Sequence, residues 1–291
     1  MTNVIPESRI SIALKDYLLD SGVAVTGSGW AGGLTDLATN TFADKATASS
    51  TDTTIALDLG TSSLVDVISI PQHTLGVLST GRVRLSNNVL LLTDPGAVPS
   101  EELLYDTGVV LTWPDTSDLL DIPHDEYVSW AGTFTGYHPP PLYLTKINTV
   151  ARYLYIDLSD PASSSYTLSK ITVGPNWLPT GGVSAGWTDK LTQKIKTHTR
   201  LPGGGVFVED KANTRQIQFK LGTLTEAEIF NQATIIDKQL TKKTPYIVIV
   251  DPSDTTNSSR LFIYGANSKT TPAKHIQHGF YSKTFIIDEW A

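Results

Sequence analysis

Thr54-Ile55-Ala56-Leu57-Asp58-Leu59-Gly60, Val65-Asp66-Val67-Ile68-Ser69-Ile70 and Gly81-Arg82-Val83-Arg84-Leu85-Ser86-Asn87-Asn88 are three runs of strand length. Their apolar and β-branched residues alternate or cluster, and Gly, Ser, Pro or Asn ends each one. Side chains alternate across a strand, so Ile55, Leu57 and Leu59 share one face, with Ala56 and Asp58 on the other. By the same rule Val83 and Leu85 point inward while Arg82 and Arg84 point to water. Strands of this kind bury their apolar faces by stacking two sheets, which predicts a β-sandwich.

Working outward, Ala151-Arg152-Tyr153-Leu154-Tyr155-Ile156-Asp157-Leu158 is the clearest alternating strand, Tyr166 to Val173 follows it, and Gly174-Pro175 closes the unit. Leu103 to Val110 reads as a strand with a bend, and Val89 to Leu92 as a short apolar run behind an Asn-Asn turn. Upstream, Gly27 to Gly33 is a loop around Trp30. Ile10 to Leu19 fits a strand or a helix equally well. The division is a segment 1–24, a sandwich 25–176 and a second domain 177–291.

Composition narrows the function classes. The 291 residues carry a net charge of −7 and no Cys, so disulfides and thiolate metal sites are excluded. Residues 25–176 hold 16 acidic and 6 basic side chains, a balance of −10; residues 177–291 hold 10 and 14, a balance of +4. Two bodies with different partners follow from such asymmetry. Nucleic acid is not among them, because the basic half has no clustered stripe. The N-terminus lacks a signal-peptide pattern and no run reaches the ~18 apolar residues of a membrane span. The expectation is a soluble product made in a cytoplasm.

The second domain holds one well-marked helix, at about 225–241. Thr225-Glu226-Ala227-Glu228 is a capping-box pattern, and Ile229, Ala233, Ile236 and Leu240 recur on one face. Tyr246 to Val250 reads as a buried strand stopped by Asp251-Pro252; Arg260 to Tyr264 and Phe280 to Ile287 supply two more. The fold class is therefore mainly β: an N-terminal sandwich, then a β-rich domain with one packed helix.

Catalytic patterns are thin. Gly182-Val183-Ser184-Ala185-Gly186 spells the nucleophile-elbow string, with Asp251 and His275 following in hydrolase order. That motif needs a buried strand before it and a helix after it, and neither is written there. The six His are scattered, and Gly203-Gly204-Gly205 has no Lys-Ser/Thr after it, so metal and phosphate-loop chemistry are set aside. No catalytic residue, metal or cofactor is expected, and the chain reads as a non-enzyme. The best contact candidates lie in the irregular stretch from Trp113 to Leu142. Trp113, Tyr127, Trp130 and Tyr137 offer large amphipathic area for a sugar ring or a protein partner. Asp115, Asp118 and Asp121 lack the Gly and Glu of an EF-hand loop and read as a solvated acidic run. Asp36 and Asp44 are weighed as calcium ligands against ordinary turn residues, the plainer assignment.

The ordered series from Val25 to Gly174 resembles the galactose-binding-like jelly roll of discoidin and F5/8 type C modules. It comprises the Trp30 loop, Leu57-Asp58-Leu59-Gly60, Val65 to Ile70, Arg82 to Ser86, Tyr105-Asp106-Thr107-Gly108, Ala151 to Ile156 and Ile171 to Gly174. The long acidic, Trp-rich insert and the missing end-to-end disulfide depart from that pattern. The C-terminal order of capped helix, Tyr246 to Pro252 and the closing Phe285-Ile286-Ile287-Asp288-Glu289-Trp290 resembles a domain of tail-tip and baseplate proteins of long-tailed bacteriophages. These resemblances imply a minor tail protein in the virion tail, forming a homo-oligomeric ring around the tail axis. Its jelly roll would face other tail and baseplate proteins or a host-surface glycan. The alternative is a lectin-like carbohydrate-binding module outside any virion.

Overall fold

A computed structural model describes residues 10–20, 22–39, 44–76, 78–112, 141–181, 183–192, 198–200, 206–208, 214–241, 244–251 and 261–290. The chain forms two compact bodies. One comprises Ala13–Asn176 with Asp251–Phe262; the other comprises Met1–Ile12, Trp177–Val250 and Ile263–Ala291.

The first body is a jelly-roll β-sandwich. Its larger sheet runs in the order Ala24–Ser28, Asp52–Val65, Thr149–Ser159, Thr80–Ser86, Leu103–Asp106, with Val110–Leu111 also paired to Thr80–Ser86; every pairing is antiparallel. Two three-stranded sheets supply further strands: Leu142–Leu144, Val67–Ile70 and Thr172–Gly174; and Thr167–Leu168, Ala46–Ala48 and Trp30–Gly32. Leu57, Leu85, Leu154 and Ile156 from the large sheet meet Ile68, Ile70, Leu168 and Val173 in one continuous core. Ile55, Leu57 and Leu59 are buried together, as their alternation requires.

The outer face of the large sheet departs from the simple pattern. Val89 to Leu92 folds into the helical turn Leu90–Thr93, which seats Leu91 in a second cluster with Ala56, Val98, Tyr153 and Tyr155. Arg84 was expected in water and is instead 7% exposed. Its guanidinium donates to Asp157 Oδ2 at 2.6 Å and to the Pro95 carbonyl at 3.1 Å, and it lies 5.1 Å from the Tyr155 ring centre. An Arg satisfies burial this way because its planar fork pairs a carboxylate while its flat face covers an aromatic ring. Arg82, on the same face, stays partly exposed and grips Asp106 through two bonds of 2.9 and 2.6 Å.

The ambiguous Ile10 to Leu19 stretch resolves into strand Ser11–Ala13 and the 3-10 turn Tyr17–Leu19. Asp16 caps that turn, accepting from Leu18 N at 3.1 Å, and the same oxygen accepts from Val173 N at 3.3 Å. Its other oxygen forms an ion pair with Lys170 Nζ at 2.8 Å, close in distance but not aligned as a hydrogen bond. Lys170 is 1% exposed and also donates to the Thr39 carbonyl at 2.6 Å. The chain passes so close that a Cβ on Gly174 would stand 1.9 Å from the Lys15 carbonyl oxygen, which leaves room for glycine alone.

The second body is built on one antiparallel sheet, ordered Asn176–Trp177, Ser11–Ala13, Tyr246–Ile249, Phe262–Asn267, Phe280–Glu289, Thr214–Thr225, Val183–Thr192, with Lys274–Gln277 paired to Phe280–Glu289. Tyr246–Ile249 is buried throughout, as its unbroken apolar run predicts. A π-helical turn, Glu228–Ala233, leads into the α-helix Thr234–Thr241, and Ile229, Ala233 and Ile236 are buried. The capping box forms: Thr225 Oγ1 accepts from Glu228 N at 3.3 Å and Glu228 Oε2 accepts from Thr225 N at 2.9 Å. Glu228 is 7% exposed and its other oxygen accepts from Thr180 N at 2.8 Å, Thr180 Oγ1 at 3.1 Å and Trp177 Nε1 at 3.5 Å. Burial pushes this carboxyl up, but the bonds from Thr180 and Thr225 outweigh it and its pKa is lowered.

Lys170→Met would strand the Asp16 carboxylate in the interior. We expect a loss of about 3–5 kcal/mol in urea unfolding, with partial recovery when Asp16→Asn is added; a loss below about 1 kcal/mol would show that the pair is dispensable. Because the folded pKa of Glu228 lies below its ordinary value of 4.5, its stabilisation is complete above that value and is lost as pH falls through the depressed one. Hydrogen-exchange protection of residues 228–241 should therefore hold from neutrality to about pH 5 and fall below it. Glu228→Gln should show less protection at neutral pH and a shallower acid decline.

Candidate functional site

Ser159 lies opposite both Asp52 and Thr80, so the starts of two strands and the end of a third share one pole of the sandwich. Three loops cross that pole: Gly29–Trp30, 71–79 and 160–166. Asp160 fastens two of them. It is fully buried; its carboxylate accepts from Gly76 N at 2.7 Å and Ala162 N at 3.0 Å, and its own N–H donates to the Thr51 carbonyl at 2.9 Å. The Asp160-Pro161 dipeptide after a strand is a turn signal, with the Asp side chain closing an Asx turn two residues on. Ser79, also buried, donates to the Gly76 carbonyl at 2.6 Å and shares a hydroxyl–hydroxyl bond with Thr112, whose N–H donates to the Ser79 carbonyl at 3.0 Å. Thr167 N donates to Thr74 Oγ1 at 2.8 Å, and Thr74 N returns a bond of 3.0 Å to the Thr167 carbonyl. His73 is buried, and its Nδ1 accepts from Leu75 N at 3.2 Å, so the ring shapes the loop.

Beside these loops stands Trp30, half-buried. Its indole N–H donates to the Thr54 carbonyl at 2.8 Å, and its ring meets Tyr166 edge-to-face at 6.0 Å and 80°. Tyr166 is fully buried with its hydroxyl 2.5 Å from Thr53 Oγ1. Burial pushes its phenol up to about 12, only partly offset by the Thr53 hydrogen bond, so it is an uncharged donor at ordinary pH. Leu78 and Val110 are exposed near the same end.

The four contact candidates Trp113, Tyr127, Trp130 and Tyr137, with Asp115, Asp118 and Asp121, lie outside the described residues. What is described is where their segment leaves and rejoins the sandwich. Thr112, just before it, is bonded to Ser79; Leu142, just after it, pairs with Ile70, the residue that leads into the 71–79 loop. Both boundaries therefore sit at the pole that carries Trp30 and Asp160. Sequence reading noted Trp30 only as part of a glycine-rich loop and did not single out Asp160, Ser79, Thr112 or Tyr166. Of these, only the Asp-Pro turn had a local signal.

The polar groups of this pole hold loops together; they do not line up as nucleophile, base and oxyanion donors. Among the described residues there is no group of three or more His, Cys, Asp or Glu able to hold a metal ion. Asp36 sits in the 3-10 turn Leu34–Ala38, and the carbonyl of Thr39 at its end is taken by Lys170. Ser184 lies within the strand Val183–Thr192, so its backbone is not at the strand-to-helix turn an elbow needs. His275 lies on an exposed strand with its ring tilted against Tyr281 at 5.0 Å.

No protein-family model matches the chain, and no curated protein matches it. Among solved structures, a Ruminococcus gnavus GH29 fucosidase in complex with fucose aligns at 14% identity and a TM-score of 0.36, over 56% of this chain and 27% of the fucosidase. The module CpGH89CBM32-6 from Clostridium perfringens aligns at 7% identity and 0.34, over 55% of this chain and 98% of the module. A Streptococcus pneumoniae fucose binding module aligns at 13% identity and 0.34, over 55% of this chain and 94% of its own. At these identities and scores the likeness carries no inference about residues or ligand.

Proposed function

We propose that this chain is a non-catalytic binding protein whose jelly roll recognises carbohydrate at the pole that carries Trp30. The observation behind this reading is the convergence just described. A pole braced by Asp160 and Ser79 carries a partly exposed indole and receives both boundaries of the one segment richest in Trp and Tyr. Rigid sheets presenting variable loops are a common way to build a recognition surface. Aromatic rings with polar edges suit sugars, since they cover the apolar face of a pyranose while their N–H or O–H meets hydroxyls. Trp113, Tyr127, Trp130 and Tyr137 are the proposed contacts, with Trp30 beside them. A glycan array of the wild-type chain should return a defined set of sugars, and Trp130→Ala should weaken the best of them about tenfold, a change of about 1.4 kcal/mol. No binding across the array, or unchanged binding by Trp130→Ala and Trp30→Ala alike, would remove the reading.

A second reading is a subunit of a bacteriophage tail tip or baseplate. In it the C-terminal body oligomerises around the tail axis, and the jelly roll meets other tail proteins or a host glycan. Supporting it, the residues that carry the resemblance fall in folded elements: the capped helix, Tyr246–Ile249 and Phe280–Glu289. Such a protein would be made in the host cytoplasm and reside in the virion tail. Mass spectrometry of purified particles should then detect it; absence from particles, together with no co-purification of tail proteins, would count decisively against this role.

A further inference from the structure

Two surfaces remain that neither reading uses. On the jelly roll, exposed Leu64 and Val150 face each other across neighbouring strands. Asn87 binds this corner to the next turn: its Nδ2 donates to the Val150 carbonyl at 3.3 Å and its Oδ1 accepts from Ser62 Oγ at 2.9 Å. Asn88 continues the chain of bonds, accepting from Leu90 N at 2.9 Å and donating to Glu102 Oε2 at 2.6 Å. Val89, Leu90 and Leu104 are exposed on that same hydrogen-bonded corner, beside exposed Glu101 and Glu102. Single exposed apolar residues need no explanation, but five on one fixed corner do.

On the C-terminal body, the π-helical turn presents Phe230 outward, 59% exposed. Its ring meets Tyr281 edge-to-face at 5.9 Å, and Tyr281 in turn carries His275 at 5.0 Å. Ile276 and Phe280 are exposed on the adjoining strands, and Lys274, His275 and His278 are exposed around them. Glu226, next to Thr225 opposite Phe280, is the acidic exception. One face is thus apolar with acidic neighbours in a half of net −10; the other is apolar with basic neighbours in a half of net +4.

We infer that these two faces bind each other between copies of this chain, the Phe230–Ile276–Phe280 face of one copy docking on the Leu90–Val150–Leu104 face of the next. The occupant is a second copy because the chain itself carries the charge and apolar complement that each face calls for. A like-on-like contact would oppose basic with basic or acid with acid. The contact is heterologous, so repetition closes a ring or extends a filament. It is independent of sugar binding and of any virion, so its failure leaves both earlier readings standing.

Sedimentation equilibrium of the full-length chain tests it. Wild type should self-associate with rising concentration, and several-fold more weakly in high salt. Phe230→Asp and Leu90→Asp, both at exposed positions, should each lose association by more than about tenfold while circular dichroism stays unchanged. Mixed in equal amounts, the two variants should recover a dimer and nothing larger, since each keeps one intact face. Monomeric wild type at all concentrations would overturn the inference. So would folded variants that still associate alone, or a mixture that stays monomeric.

Discussion

Lys170 carries an ammonium into the jelly roll at 1% exposure, where an unpaired charge costs several kcal/mol. The surrounding chain is arranged to meet that charge. Asp16 must arrive from the N-terminal stretch and the Thr39 carbonyl from the end of the Leu34–Ala38 turn. The other Asp16 oxygen is then held by Leu18 N and Val173 N, so one carboxylate joins a turn, a strand and a buried cation. Gly174 lets the backbone of residue 15 come near enough for this to happen. Residues 13–20 are thereby part of the sandwich, although nothing in their hydrophobicity marks them as such.

The large sheet has a second organising feature, its central strand Thr149–Ser159, paired on both sides and bulged between Ala151 and Tyr153. After the bulge, Leu154, Ile156 and Leu158 enter the main core, while Tyr153 and Tyr155 enter the outer cluster beneath Leu91. Arg152 pairs with Asp58 through two bonds of 2.8 and 2.9 Å and lies 5.0 Å from the Tyr153 ring centre. These bonds hold the Asp58 carboxyl below its usual range. The same strand order delivers Ser159 to the pole where Asp160 then fastens the loops.

What could be read from the sequence follows the range of each interaction. Strand alternation is local, so Ile55, Leu57 and Leu59 and the run Tyr246–Ile249 were legible, as was the Thr225–Glu228 capping box. Arg84 was misplaced because alternation says which residues share a face, not whether a distant segment covers that face. Here residues 90–98 return over it, and only the tertiary fold brings them there. Lys170 escaped notice for the same reason: its partners are 154 and 131 positions away in sequence. The pole was half legible. Trp30 and the aromatic insert could be seen, but the roles of Ser79, Thr112 and Tyr166 depend on hydrogen bonds between loops remote in sequence.

Glu228 has a consequence for how the C-terminal body could have moved among proteins during evolution. Three of the groups that satisfy its buried carboxylate belong to Trp177 and Thr180, ahead of the Gly181-Gly182 pair that looks like a natural joint. Trp177 also lies edge-on to Phe285 at 6.4 Å. A recombination point at those glycines would part the helix cap from its donors, so inheritance of this body as a unit has to carry the tetrapeptide Trp177–Thr180 along with it.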